Sequence, residues 1–435
     1  MRPLTTSTIA ADKAHAWHPF TAQDAWCASD PLVIERAEGV WLLDSEGNRY
    51  LDGNASIWTN IHGHAHPAID AAIRAQLERF AHVSFLGATH PLAAELARRL
   101  AGLFPPATLE RVFFSDDGST AIECALKMAV QFRLQTGAPQ RTGFIAFDHA
   151  YHGDTAGAAS LGGAPFLERF RGFGFPVTRV ANMEALAALP PELLDATAAV
   201  VIEPLIQGVN EMRPWPAGML AALRRWCDRH GLHLILDEVM TGFGRTGSMF
   251  ACQQEAVIPD FLCLAKGLTG GYLPLAATLT TAEVYDAFRG APERAFHYGH
   301  SYTANPLGCA AALASLDLFQ QEHVLESLPP KIAALTDLLD ELAAASPWVY
   351  QTRQCGLIAG IELRHPDGTR FPAADLTGAR VCHAARAHGL LTRPIRDTIV
   401  LLPPLAITPA EIAHAVSSLR HAIPAVLANP PKTDH

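Results

Sequence analysis

From about residue 109 onward, short uninterrupted apolar runs alternate with longer stretches whose apolar positions recur every three or four residues. The runs at 111–114, 143–147, 198–202, 233–236 and 261–264 lack the polar alternation of a half-solvated strand, so they predict strands buried on both faces. Between them the spacing predicts helices, among them one reaching Gln135 and one over 216–230. Strand–helix alternation of this kind predicts a mostly parallel sheet covered by helices on both sides, and ligands of such sheets lie beyond the carboxyl ends of the strands. Upstream, helical spacing predicts helices over 67–79 and 91–101, the second with proline in its first turn. Residues 1–60 read as largely irregular, apart from a hairpin about Glu46-Gly47-Asn48. Downstream, a helix over 306–321 leads into a region where helices over 330–345, 372–389 and 408–427 and strands over 356–363 and 398–402 predict a smaller α+β unit.

The pattern therefore divides into an N-terminal segment (1–60) serving the small domain and the active site, a large domain (61–325), a small domain (326–428) and a disordered tail (429–435). With 435 residues, 49% apolar and 17% charged, the chain can bury more than one ordinary core. A net charge of −10 without any dense basic block argues against nucleic-acid binding. The eight cysteines form no CxxC pair, which fits buried thiols in a reducing compartment. No apolar run reaches membrane-spanning length, so the expected location is the cytoplasm, with no membrane partner.

Candidate chemistry centres on Phe261-Leu-Cys-Leu-Ala-Lys266-Gly-Leu-Thr-Gly-Gly271. A buried strand delivering one lysine needs a compensating reason, and covalent capture of an aldehyde in a dry pocket is one. Asp237 closes another apolar strand, where a carboxylate could keep a pyridine nitrogen protonated. Ser115-Asp-Asp-Gly-Ser-Thr120 opens a helix and offers backbone N–H groups, hydroxyls and a helix dipole to a phosphate. Tyr151, just after a strand, could stack on a ring held over the strand ends. Two other motifs carry less. Gly242-Phe-Gly244-Arg-Thr-Gly247 matches G-x-G-x-x-G but follows no strand directly and opens no clear helix. His62-Gly-His64-Ala-His66 lacks companion ligands, so no metal is expected.

Together these residues carry a resemblance. Asp237-Glu-Val-Met-Thr-Gly-Phe-Gly-Arg-Thr-Gly247, Cys263-Leu-Ala-Lys266-Gly and Gly299-His-Ser-Tyr-Thr-Ala-Asn-Pro-Leu-Gly308 resemble the class III, fold-type I, pyridoxal-phosphate aminotransferases. Trp17-His-Pro-Phe-Thr21, Tyr151-His-Gly-Asp-Thr155 and Thr392-Arg393-Pro394 are similar to the biotin-synthesis branch of that class. The resemblance implies a large domain with a central sheet plus a smaller α+β domain, and pyridoxal 5'-phosphate as cofactor. It implies that Lys266 is the covalent anchor and proton shuttle, that Asp237 pairs with the ring nitrogen, and that Val239 and Tyr151 flank the ring. Gly118 and Ser119 would hold the phosphate from one subunit, with Gly299 and Ser301 reaching it from the other in a homodimer with shared sites. Arg393 would bind the carboxylate of an oxo acid. The implied reaction is ping-pong amination of 8-amino-7-oxononanoate, with S-adenosylmethionine as donor and lysine left open. The alternative is a class III transaminase acting on omega-amino acids or diamines. Two departures bear on the donor. Phe20 stands where the family has a tyrosine, and Ile57 replaces the first member of a tryptophan pair that retains only Trp58.

Overall fold

The structure, a computed structural model, describes residues 2–428; the tail at 429–435 lies outside the described residues. Seven strands form the central sheet, in the order Leu109–Ser115, Ala276–Thr281, Phe261–Leu264, His233–Asp237, Thr197–Ile202, Gly143–Phe147 and Thr178–Val180. Neighbours from Phe261–Leu264 to Thr178–Val180 pair in parallel. Ala276–Thr281 runs antiparallel to both of its neighbours. That reversed strand is absent from the sequence reading. Its Ala-Ala-Thr-Leu-Thr-Thr run is short and half threonine, and buried Thr278 and Thr280 satisfy their hydroxyls on the Ala121 and Asp260 carbonyls.

The sheet is sealed on both faces because its central strands carry apolar side chains at alternate and intervening positions alike. Phe261, Leu262, Cys263 and Leu264 are all fully buried, two on each face. On one face lies the helix Gly118–Gln135, packing Ala121, Ile122, Ala125 and Ala129 against Ile235, Phe261 and Cys263. Met219–His230 packs with the other face through Leu220, Leu223 and Trp226.

Two smaller sheets join the chain's ends. Ile34–Glu38, Trp41–Asp44 and Arg49–Asp52 form a meander, and Leu390–Leu391 adds to it in parallel beside Arg49–Asp52. The predicted hairpin is present, with Gly47 at φ +94° in its turn. The other sheet orders Val349–Cys355, Ile358–Leu363, Thr398–Leu401 and Pro394–Ile395. The reading of residues 1–60 as largely irregular is corrected by helices Pro3–His15 and Gln23–Ala28. The first helix has a weak apolar pattern and is held by tertiary contacts: Thr5 Oγ1 lies 2.7 Å from Ser45 Oγ and donates to Glu46 Oε1 at 2.6 Å. The predicted helix over 372–389 divides into Thr377–Ala385 and short 3₁₀ turns, interrupted by Leu376 at φ +47°. All eight cysteines are free. Among the described residues, no helix is long and apolar enough to cross a membrane.

Candidate active site

The carboxyl ends of four neighbouring strands open into a cleft of about 950 Å³. Adjacent strands deliver its central pair. Asp237 ends His233–Asp237 in register with Cys263, and Lys266 begins the 3₁₀ turn that follows Phe261–Leu264. Lys266 sits at φ +45°, in the left-handed region where a side chain with a Cβ is uncommon. Its Nζ stands 4.8 Å from the centroid of the Trp58 ring. Burial lowers the Lys266 amine to about 8, although the charges of Asp237 and Glu203 pull the other way. A free amine is therefore within reach at neutral pH, as capture of an aldehyde requires.

Asp237 is buried and accepts from the Val239 N–H at 3.1 Å through Oδ1. Its Oδ2 lies 2.7 Å from His152 Nδ1. Burial pulls the His152 imidazole down, but the hydrogen bond and charge of Asp237 outweigh it and raise the histidine overall. The neighbouring Glu238 is turned away from the cleft, accepting from the Ala251 and Cys252 N–H groups at 2.7 and 2.8 Å. It thereby fixes the loop that carries Val239.

A phosphate-sized anion has a prepared place. The helix Gly118–Gln135 is capped by Asp117, whose carboxylate accepts from the Thr120 N–H at 2.9 Å, while the first-turn residues Gly118 and Ser119 line the cleft. Ser119 Oγ accepts from the Asp154 N–H at 2.7 Å and keeps its own proton to donate. Close approach dictates the glycines here. A Cβ on Gly118 would stand 2.6 Å from Val239 Cγ1, and one on Gly153, at φ +124°, would stand 1.8 Å from Ser119 Oγ. Tyr151 lines the same space, its hydroxyl donating to Asp154 Oδ2 at 2.6 Å. A flat ring with a phosphate at one edge, an aldehyde at another and a basic nitrogen at the far end matches this set. Lys266, Asp237, the helix start with Ser119, and the Val239 and Tyr151 side chains each meet one of those features.

Phe20, Ile57, Trp58 and Arg393 also line the cleft. Arg393 immediately precedes the edge strand Pro394–Ile395 and makes no ion pair among the described residues. Phe20 packs edge-on against Phe166 with ring centroids 5.6 Å apart. Gly299 and Ser301 do not line this chain's own cleft. Ser301 is exposed, and its carbonyl accepts from His82 Nε2 at 2.9 Å. The remaining motifs are structural. His62 contacts Ser315 Oγ, His64 contacts Asp52 and His66 contacts Glu322, at 3.0, 2.9 and 3.0 Å. Arg245, in the glycine-rich loop, is fully buried and donates to the Asn60 and Pro403 carbonyls. Among the described residues, no group of three His, Cys, Asp or Glu side chains could hold a metal ion.

Residue-level reading of the sequence missed His152, Glu203, Asp154 and Glu211, all of which line the cleft. Glu203 carried a usable signal: like Asp237, it is an acid placed directly at the end of an uninterrupted apolar strand.

Fold and site together define a pyridoxal-phosphate-dependent enzyme of fold type I. The chain belongs to the aminotransferase class-III family, whose model matches residues 23–423. It is 48% identical to the adenosylmethionine-8-amino-7-oxononanoate aminotransferase of Nitratidesulfovibrio vulgaris, over 95% of this chain and 81% of that protein. The crystal structure of the enzyme of that name from Methanocaldococcus jannaschii superposes with a TM-score of 0.93 at 38% identity, over 97% of this chain and 99% of that one. A pyridoxal-phosphate-bound amine transaminase from an uncultivated Pseudomonas species gives 0.88 at 34% identity, over 94% and 98%. The protein is an aminotransferase, and its cofactor is pyridoxal 5'-phosphate.

Proposed function

We propose that this aminotransferase converts 8-amino-7-oxononanoate to 7,8-diaminononanoate in biotin synthesis, with S-adenosylmethionine as donor and lysine as the alternative donor. The observation that carries the reading is Arg393, without an ion-pair partner among the described residues, in the cleft that holds Lys266 and Asp237, in a chain whose relatives bear that name over nearly its whole length. A second reading, amine transfer from omega-amino acids or diamines to pyruvate or 2-oxoglutarate, is favoured by the departures at Phe20 and Ile57 and by the 34% identical amine transaminase.

In this reading each side chain has a task. Pyridoxal phosphate, when bound, supplies an aldehyde that exchanges amines and a ring that withdraws electrons. Lys266 Nζ would hold the cofactor covalently and, once freed from it, would move the proton at the substrate's reacting carbon. Asp237, oriented by His152, keeps a proton on the ring nitrogen through its carboxylate. Gly118 and Ser119 receive the phosphate at the helix start. Val239 and Tyr151, both lining the cleft, would flank the ring. Phe20, Ile57 and Trp58 form the wall that the donor meets, and Arg393 grips the acceptor carboxylate with its planar fork.

Residues 61–325 serve as the cofactor-binding domain in this account, with 326–428 and the first 60 residues as the smaller one. The seven-stranded sheet, confined to residues 109–281, supports that division. Gly299 and Ser301 act on the partner's phosphate in a homodimer, which accords with their position off their own cleft. Co-expressing a Lys266→Ala chain with a Ser301→Trp chain is expected to restore activity through mixed dimers that retain one intact site. Mixtures as inactive as either variant alone would remove the shared-site reading. Arg393→Ala should raise the KM for 8-amino-7-oxononanoate by about 10- to 100-fold, the worth of a charged hydrogen-bonded pair. Steady-state kinetics measures this, and an unchanged KM would dismiss Arg393 as the carboxylate site.

A further inference from the structure

We infer that Glu203 recognises the ammonium group beside the reacting carbonyl of the acceptor, which makes it a specificity-determining residue of the cleft. The inference rests on the amino-oxo acid acceptor proposed above. Such an acceptor carries two charges, a carboxylate at one end and an ammonium on the carbon next to the ketone. Bringing that ammonium into a dry cleft that already holds Lys266 would be costly without a carboxylate to meet it.

Glu203 directly follows the strand Thr197–Ile202, so its place at the strand ends is set by the sheet itself. It is buried yet lines the cleft. Oε1 accepts from the Tyr151 N–H at 3.2 Å and Oε2 from the Gly208 N–H at 2.9 Å, which fixes the carboxylate and leaves each oxygen a free lone pair. Gly208 lies flush against the cleft wall, since a Cβ there would stand 2.7 Å from Met240 Sδ and 3.1 Å from Trp58 Cζ3. The same Trp58 ring stands over Lys266 Nζ, and the charge of Glu203 is close enough to act on that amine.

The other cleft acids are committed elsewhere. Asp237 holds His152, Asp154 takes the Tyr151 hydroxyl, Asp117 caps its helix, and Glu211 pairs with Arg370 and Arg396 at 3.1 and 3.5 Å. No lysine or arginine within ion-pair distance neutralises Glu203 among the described residues, and the strand Thr398–Leu401 presents Val400 to the cleft, not a cation. The charged groups that act on Glu203 are His152 and Asp237, and its own charge acts on Lys266. Burial pushes the Glu203 carboxyl up to about 7, with the charge of His152 opposing. An arriving ammonium would hold it ionised. Arg393 at one end of the acceptor, Lys266 at its ketone and Glu203 at its amine then give three-point recognition.

The test compares acceptors on the pyridoxal-phosphate-loaded enzyme: 8-amino-7-oxononanoate, its neutral 8-hydroxy isostere and 7-oxononanoate. Wild type is expected to favour the amino compound in kcat/KM by at least about tenfold, mostly through KM, as a charged hydrogen bond implies. Glu203→Gln should erase that preference, while its cofactor content, measured after release, reports that the variant is loaded. A lost tyrosine or glycine backbone contact would lower all three acceptors together and leave their ratio intact, so the ratio distinguishes recognition from positioning. Equal use of the amino and hydroxy acceptors by wild type overturns this inference and requires no variant. Failure of wild type to aminate any of the three would instead overturn the functional reading, and this inference with it.

Discussion

Lys266→Ala is expected to end covalent retention of the cofactor and to lower turnover by at least about 10⁴-fold, the upper range of a positioned acid–base group. Borohydride reduction followed by peptide mass spectrometry should tag Lys266 in the wild type and no lysine in the variant. The size of the loss follows from two tasks falling on one atom. Nζ would be both the amine that captures the aldehyde and the base that moves the proton, and among the described residues no other lysine lines the cleft. Tyr151 cannot substitute as a base, because burial first and its hydrogen bond to Asp154 second push its hydroxyl up, well beyond its ordinary range. The Nδ1 of His152 is engaged by Asp237. Full turnover by the variant, or a reductive tag on another lysine, would move the site elsewhere.

Asp237→Asn is expected to lower kcat by roughly 10²- to 10³-fold while the protein still folds and takes up cofactor, a loss in the range of a single preorganised electrostatic group. The amide keeps the shape but gives up the charge that would hold a proton on the ring nitrogen. It also leaves His152 facing a neutral partner in a buried position where, among the described residues, its Nε2 already has no hydrogen-bond partner. The imidazole should therefore lose the influence that now raises it, and the readout is the histidine's NMR titration. Asp237→Glu restores the charge at the wrong reach and should recover only part of the rate. An Asn variant with wild-type turnover would show that ring protonation does not depend on this carboxylate.

Much of the frame was legible because buried parallel strands write themselves plainly. Phe261–Leu264, Gly143–Phe147 and Pro306–Gln321 have the boundaries that the apolar runs and the proline at a helix start predict. Lys266 and Asp237 were legible for a related reason: a charged residue ending an apolar strand departs from the pattern that makes the strand. Glu203 has the same signature after Thr197–Ile202, but a single acid before a proline also fits a turn. The helix Pro3–His15 was not legible, since its Thr- and Ser-rich pattern favours no face and contacts with Ser45 and Glu46 hold it in place. Ala276–Thr281 escaped because a reversed strand breaks the strand–helix rhythm from which the rest was inferred. The cleft wall was only half visible, since its geometry depends on three positive-φ residues within four positions. Ala55, Ser56 and Trp58 take positive φ, with Ser56 N–H on Asp52 Oδ2 at 2.7 Å and Trp58 Nε1 on Asn54 Oδ1 at 3.0 Å. No periodicity foretells such a turn.

The most direct test of the whole account is product analysis. The purified, cofactor-loaded protein is incubated with 8-amino-7-oxononanoate and, in separate reactions, S-adenosylmethionine or lysine, and the products are identified by mass spectrometry. The account predicts 7,8-diaminononanoate, formed with matching loss of the donor's amine. No diamine from either donor, alongside ready transfer from an omega-amino acid or diamine to pyruvate or 2-oxoglutarate, would contradict it.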